Sequence, residues 1–360
     1  MSSSVHATAV FRRDTEQLVT GMILSELNGQ VITGPGWGKS VMGYRMGLQV
    51  FGEAGNLFFE CSPTTPPERI EGHEDPVAYF ERGELIKVVE RTPYDEKVRF
   101  CTLDEAWRLN EISFDQLVQA IQRVHGVQPV FFGNSNFVVK SGRTAALLDR
   151  FAMNYLPSLV MDETSLHEVV RNRNFKDTDF NLPDAETVDA VRSAPYTDKA
   201  LDAIDALLAS LFELTAGTPF AKQVNPRRVD QWTRLLFRTG TYYAQTNAFE
   251  IVPNEAAAML KFAMPVTSAD EYAEWGKIAS AVLDRFSVML ENFRAQAYTS
   301  FQKVLQQGNA NDRVAYMAAL GQVSADAMHE LEQYGDDPRC KELQSEITQW
   351  FSLAAQGKSF

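Results

Sequence analysis

The chain has 360 residues, a hydrophobic content of 45% and a formal net charge of −13. That size predicts two or three domains with ample apolar material for packed cores, and no apolar run approaches the ~20 residues of a membrane span. The acidic balance weighs against a broad nucleic-acid surface and leaves room only for a local basic groove. Residues 1–13 show neither the basic opening nor the apolar stretch of a signal peptide. Cys61, Cys101 and Cys340 are scattered, as reduced thiols are, and do not suggest a disulfide framework. The histidines do not cluster with them, which argues against a zinc site. A cytoplasmic protein is the expectation.

Residues 14–29 read as a helix with Leu18, Met22, Ile23 and Leu27 on one face. The apolar run Gln30-Val31-Ile32 reads as a buried strand. It leads into Thr33-Gly34-Pro35-Gly36-Trp37-Gly38-Lys39-Ser40, which opens a helical stretch from Ser40 to Phe51. A strand, a glycine-rich loop and a helix N-terminus form the context of a phosphate-binding P-loop. Inward-turned backbone N–H groups cradle phosphates there, and the helix start adds partial positive charge. The candidate nucleotide contacts are Gly34, Pro35, Gly36, Trp37, Gly38, Lys39, Ser40 and Val41. Lys39 is expected to reach the β- and γ-phosphates and Ser40 to hold magnesium. Thr33 stands where the pattern G-x-x-x-x-G-K-[ST] has glycine, so Gly34 and Gly36 are expected to supply the turn.

Further strands are predicted at Leu57–Glu60, Val98–Leu103, Pro129–Gly133 and Met153–Val160, with helices over Val77–Val89 and Ile112–Val124. The strand at Val98–Leu103 runs into Asp104-Glu105. Asp104 is a candidate magnesium ligand, directly or through water, and Glu105 a candidate general base for the attacking water. Alone, this pair reads equally well as the acidic first turn of a helix. In order after a P-loop, it predicts a nucleotide-hydrolysing site. The strand at Pro129–Gly133 ends in Asn134-Ser135-Asn136. Asn136 is a candidate for orienting the lytic water, although these residue types alone favour a turn. In Leu147-Leu148-Asp149-Arg150-Phe151, Arg150 reads either as a surface charge paired with Asp149 or as an arginine finger for a neighbouring subunit.

Strands alternating with helices, some continuously apolar, predict a parallel sheet covered on both faces. After about residue 162 the pattern is helical, broken near Pro183, Gly217, Pro253 and Pro338. Ser268-Ala269-Asp270-Glu271 is a capping box. It opens a stripe of Tyr272, Trp275, Ile278, Val282, Phe286, Met289, Phe293, Ala297, Phe301 and Val304, which predicts one long helix. Helices near Asp312–Tyr334 and Pro338–Ala355 complete a set of three able to bury one another. That bundle reads either as packing on the preceding helices or as a docking surface for a partner.

The order of P-loop, Asp-Glu strand, Asn-ended strand and Asp-Arg-Phe resembles AAA+ ATPases, and local strings resemble the MoxR branch. These are Cys61-Ser62-Pro63-Thr64-Thr65-Pro66-Pro67-Glu68-Arg69-Ile70-Glu71-Gly72, Leu103-Asp104-Glu105-Ala106-Trp107-Arg108, Leu147–Phe151 and Asn225-Pro226-Arg227-Arg228. The resemblance spans about residues 10–265 and implies an α/β P-loop NTPase domain over 1–165. A helical lid over 166–266 and a helical C-terminal extension over 267–360 would follow. It implies ATP and Mg2+ as cofactors, with Ser40 and Asp104 on the metal. Glu105 becomes the catalytic base and Asn136 sensor 1, while Arg150 acts in trans. Arg227 becomes sensor 2, with Arg228 the second choice. It further implies a hexameric ring that remodels, assembles or activates a client protein, such as one carrying a von Willebrand A domain.

Some features depart from that family. Trp37 occupies a loop position usually small or aliphatic; it either stacks near the nucleotide or packs against the sheet, and packing is the preferred reading. The link His125–Gln128 is too short for the β-hairpin that MoxR relatives carry. A pore insertion within Gly72–Lys97, with Phe80 and Arg82 toward the channel, competes with an ordinary amphipathic helix and loop. The functional alternative to a remodelling motor is an ATP-dependent oligomeric scaffold in which hydrolysis is incidental. A nucleic-acid motor lacks a recognisable DNA-binding motif here, and a small-molecule kinase would lack the helical lid.

Overall fold

A computed structural model describes residues 7–121, 129–136, 150–157, 180–307, 313–332 and 338–356. The expectations for 122–128, 147–149, 158–179 and 333–337 lie outside these described residues. Two compact units emerge. The first comprises Met1–Ala194, Lys222–Thr239 and Met259–Lys277, and the second Pro195–Ala221, Gly240–Ala258 and Ile278–Phe360.

The first unit is built on helix α1 (Ala7–Ser25), strand β1 (Gly29–Ile32), helix α2 (Lys39–Gly55) and strand β2 (Asn56–Glu60). A small excursion follows, with α3 (Glu68–Glu71), β3 (His73–Glu74), α4 (Pro76–Arg82) and β4 (Lys87–Val88). Then come β5 (Phe100–Asp104), α5 (Glu111–Ile121), β6 (Val130–Ser135) and β7 (Met153–Tyr155). Five strands form one sheet in the order β2-β5-β6-β1-β7, and every pairing within it is parallel.

Side-chain alternation sorts the two faces of this sheet. Leu57, Phe59, Cys101, Leu103 and Phe131 point to one side, where they form a core with Phe114, Leu117 and Ala120 of α5. Phe100, Thr102 and Phe132 point to the other side, against α2. Helices thus cover both faces, and strands buried on both sides read as continuous apolar runs, as the sequence predicts. The glycines of α2 permit its close approach: a β-carbon on Gly43 would collide with the Phe132 ring, and one on Gly47 with Phe100 and Asn56. Gly43→Ala should therefore destabilise the unit by about 1–3 kcal/mol, as overpacked cores do, and a denaturant titration would read the loss directly.

The helix expected over Val77–Val89 is corrected by the structure. Asp75 caps α4, accepting from the N–H groups of Val77 and Ala78. Gly83 then takes a left-handed conformation, φ 66°, and ends the helix. The chain returns as β4, antiparallel to β3. Glycine reaches that conformation without steric cost, and a closing glycine outweighs the apolar periodicity beyond it. Phe80, at the C-terminal end of α4, is 83% exposed, and Arg82 is also exposed.

In the second unit, the C-terminal part of the helix Ala269–Gln307 meets the helices Arg313–Glu332 and Pro338–Ala355. Phe301, Leu320, Leu331, Ile347 and Trp350 form their shared core. The Tyr316 hydroxyl donates to the carbonyl of Ala354 at 2.9 Å. Among the described residues no helix is long and apolar enough to cross a membrane.

Candidate active site

Parallel strands deliver all their C-terminal ends to one edge of the sheet. The strand order sets β6 between β1 and β5, so the segments following these three strands lie side by side. In register, Val31 and Ile32 pair with Asn134 and Ser135, and Asp104 pairs with Asn134. From β1 the chain crosses to β2 at one edge of the sheet, while β7 flanks β1 on the other side. Such a reversal opens a crevice where α/β folds bind ligands.

The loop after β1 turns at Gly36, φ 88°, and Gly38, φ 75°. The expected pair was Gly34 and Gly36, so one of the two turning positions moves to Gly38. Thr33 extends β1, with its N–H donating to the Ser135 carbonyl at 3.3 Å. Its φ is not positive, so a β-carbon is tolerated where the common pattern has glycine. Gly38 precedes α2 with no side-chain cap, which leaves first-turn N–H groups for an anion. Gly34, Pro35 and Gly36 are exposed, and Val41 faces outward. The Trp37 ring lies 5.6 Å from that of Phe11, which stacks on Tyr155.

Lys39 is 6% exposed. Its ammonium donates to the carbonyls of Thr33 at 2.8 Å and Gly34 at 2.9 Å, and to Asn136 Oδ1 at 2.9 Å. Burial holds this ammonium below the ordinary lysine range, while the Glu105 and Asp104 carboxylates push it up. The Ser40 hydroxyl donates to Asp104 Oδ1 at 2.6 Å. This pair is the hard oxygen set that suits magnesium, which takes one or two protein ligands and keeps water and phosphate for the rest. Beside it, Asn134 is 2% exposed, and its Nδ2 has no hydrogen-bond partner among the described residues. A buried, unsatisfied donor at this point fits a phosphate oxygen or a metal-bound water.

Three consecutive residues of the β6 end grip Glu105. Its N–H donates to the Asn134 carbonyl at 2.9 Å. Its Oε2 accepts from the Ser135 hydroxyl at 3.1 Å, and its Oε1 from Asn136 Nδ2 at 2.5 Å. Glu105 itself is left-handed, with φ 55° and ψ 44°, an uncommon state for a residue with a side chain and one that recurs at functional sites. Arg108 Nε approaches Oε2 at 3.6 Å from a half-exposed position. Asn136 is thus a bridge, with its oxygen on the lysine and its nitrogen on the carboxylate.

The predicted residues therefore meet at this edge as two hydrogen-bonded groups, Lys39–Asn136–Glu105 and Ser40–Asp104, with Asn134 between them. Arg150 is partly buried and enters the segment before β7. Arg227 is exposed in the first turn of the helix Pro226–Ala244, whereas Arg228 is 2% exposed and donates to the Ala152 carbonyl at 3.4 Å. Sequence reasoning passed over Asn134 and Ser135, although they occupy the same strand end as Asn136. It also passed over Gln30 within an apolar run. Gln30 is buried and donates to Asn154 Oδ1 at 2.7 Å while accepting from Trp107 Nε1 at 3.2 Å. Asn154 in turn donates to the carbonyls of Phe151 and Met264.

No protein-family model matches the chain, and no curated protein matches it. Among solved structures, the chain is similar to one from Cytophaga hutchinsonii ATCC 33406, described as a "putative ATPase". The TM-score is 0.51 at 13% identity, over 76% of this chain and 89% of that one. With the all-parallel sheet and the loop after β1, this likeness defines the fold as that of an α/β P-loop NTPase, with a helical C-terminal region.

Proposed function

We propose that this chain is an ATP-hydrolysing AAA+ protein of the MoxR branch. In this reading it assembles as a hexameric ring and remodels, assembles or activates a partner protein, of which a von Willebrand A domain protein is one candidate. The observation that carries the reading is the meeting of two hydrogen-bonded groups at the sheet edge, Lys39–Asn136–Glu105 and Ser40–Asp104. A P-loop lysine, a hydroxyl–carboxylate pair and a second carboxylate joined through an amide are the parts that ATP hydrolysis requires. The neighbour's description as an ATPase points the same way. The lid over 166–266 and the extension over 267–360 belong to this proposal.

Each residue has a defined task. Lys39 neutralises the terminal phosphates, and the N–H groups of the loop from Gly34 to Val41 cradle them. Ser40 and Asp104 hold Mg2+. An ion held by these two oxygens would supply positive charge to the bound phosphates. Glu105 takes the proton of the attacking water, and Asn136 orients that water against the γ-phosphate. Arg150 of one subunit stabilises the charge that develops in its neighbour's site, and Arg227 serves as sensor 2 from the lid.

The trans role of Arg150 is tested by mixing. Arg150→Ala should assemble yet lose roughly 10³-fold or more in kcat, the scale of an arginine finger. Mixing it with Lys39→Ala should restore partial phosphate release, because some mixed interfaces pair an intact loop with an intact finger. Mixed rings that form and remain inactive would rule out the trans assignment.

A further inference from the structure

We propose that Ser135 is a positioning residue for the Glu105 carboxylate. This rests on the reading of Glu105 as the general base and adds a second-face anchor that the sequence motifs do not assign. Among the described residues two short contacts reach the carboxylate, Asn136 on Oε1 and Ser135 on Oε2. Arg108 stands farther off at 3.6 Å, with its side chain 51% exposed, where solvent reduces an ion pair to little.

The two close donors differ in what else binds them. The Asn136 oxygen is held by Lys39, and Lys39 is the group that must turn toward an arriving phosphate. When it does, Asn136 loses one of the two partners that fix its amide. Ser135 is anchored by the sheet. It is fully buried, it is paired in register with Ile32, and its carbonyl accepts from the Thr33 N–H. Its backbone is therefore fixed by the sheet. A hydroxyl donating to an ionised carboxylate is a charge-assisted bond, and such bonds are stronger than neutral ones. Ser135 is the contact able to keep the carboxylate aimed while Lys39 and Asn136 exchange partners.

The test is a double-mutant cycle on the full chain. Ser135→Ala should lower kcat roughly tenfold or more, on the scale of a lost charged hydrogen bond. Affinity for a non-hydrolysable ATP analogue should stay within about twofold, which also shows that the site is folded. In a Glu105→Gln background, single-turnover hydrolysis should no longer respond to Ser135→Ala, because the group that Ser135 aims has lost its function. Ser135→Thr keeps the hydroxyl and should recover part of the rate, whereas the isosteric Ser135→Val should not. Four results would each overturn the proposal: an unchanged or raised kcat in Ser135→Ala, an equal loss in the Glu105→Gln background, weakened analogue binding of the same size as the kcat loss, or equal rates in the Thr and Val variants. If Glu105→Gln alone hydrolyses like the parent, it is the general-base reading that falls, and that result is separable from all of these.

Discussion

Lys39→Ala is expected to abolish measurable nucleotide binding, with affinity lowered by about 100-fold or more. Charge-assisted hydrogen bonds contribute roughly 1.5–3 kcal/mol each, and the lysine offers a phosphate up to three donors. Those donors now sit on Thr33, Gly34 and Asn136. The two carbonyls belong to the loop itself, so the Asn136 oxygen is the partner a phosphate would displace. Burial lowers the Lys39 ammonium from the ordinary 10.5. Its charge is therefore lost, as pH rises, before that of a solvated lysine. ATP affinity should fall on the alkaline side below pH 10.5, and the bound phosphates should move the fall upward. Isothermal titration with an ATP analogue across pH reads both effects, and an alkaline limb that persists in Lys39→Ala would assign it to another group.

Glu105→Gln should keep ATP binding and lose roughly 10²–10⁴-fold in turnover, the range of a positioned general base. Glutamine retains the shape of the side chain and can accept from Asn136 while donating to Ser135, so the strand-end geometry survives. The product of this change is an ATP-bound assembly that does not turn over. Hydrolysis at the parental rate would show that water is activated elsewhere. A variant that fails to bind ATP would show that the carboxylate serves the ligand and not the water.

The contiguous parts of this site were legible in the sequence, and the assembled parts were not. The string from Gly34 to Ser40 announces its own turn and helix start, and Asp104-Glu105 follows an apolar run, so both sit where the sequence predicts. Asn136 is a candidate because it follows directly on a predicted strand. What brings these segments together is the insertion of β6 between β1 and β5. That pairing joins residues far apart in the chain and leaves no local signature. Ser135 was missed for a related reason. It stands between two amides at the strand end, and its hydroxyl meets Glu105 only because β6 pairs with β5.

The fold shows the same division. The helix Pro338–Ala355 and the long helix Ala269–Gln307 follow directly from apolar spacing. The excursion between β2 and β5 does not. Its two strands have two residues each, too short for any periodicity, and Gly83 stops α4 while the hydrophobic pattern continues. Gln30 is a further case. An amide inside an apolar run reads as strand filler, yet it is satisfied by Trp107 and Asn154, which no local rule could pair with it. A buried polar chain of this kind is tolerated only when its members are hydrogen-bonded.

The most direct single measurement is phosphate release from ATP and magnesium by the unmodified chain across protein concentration, with particle mass followed by light scattering and Lys39→Ala as the blank. Growth toward roughly six subunits with ATP is expected, and if Arg150 acts between subunits as proposed, specific activity should rise with assembly. A monomer that hydrolyses at full rate would contradict the ring mechanism. A ring that forms and releases no more phosphate than the Lys39→Ala blank would contradict the hydrolase and point to an ATP-dependent scaffold.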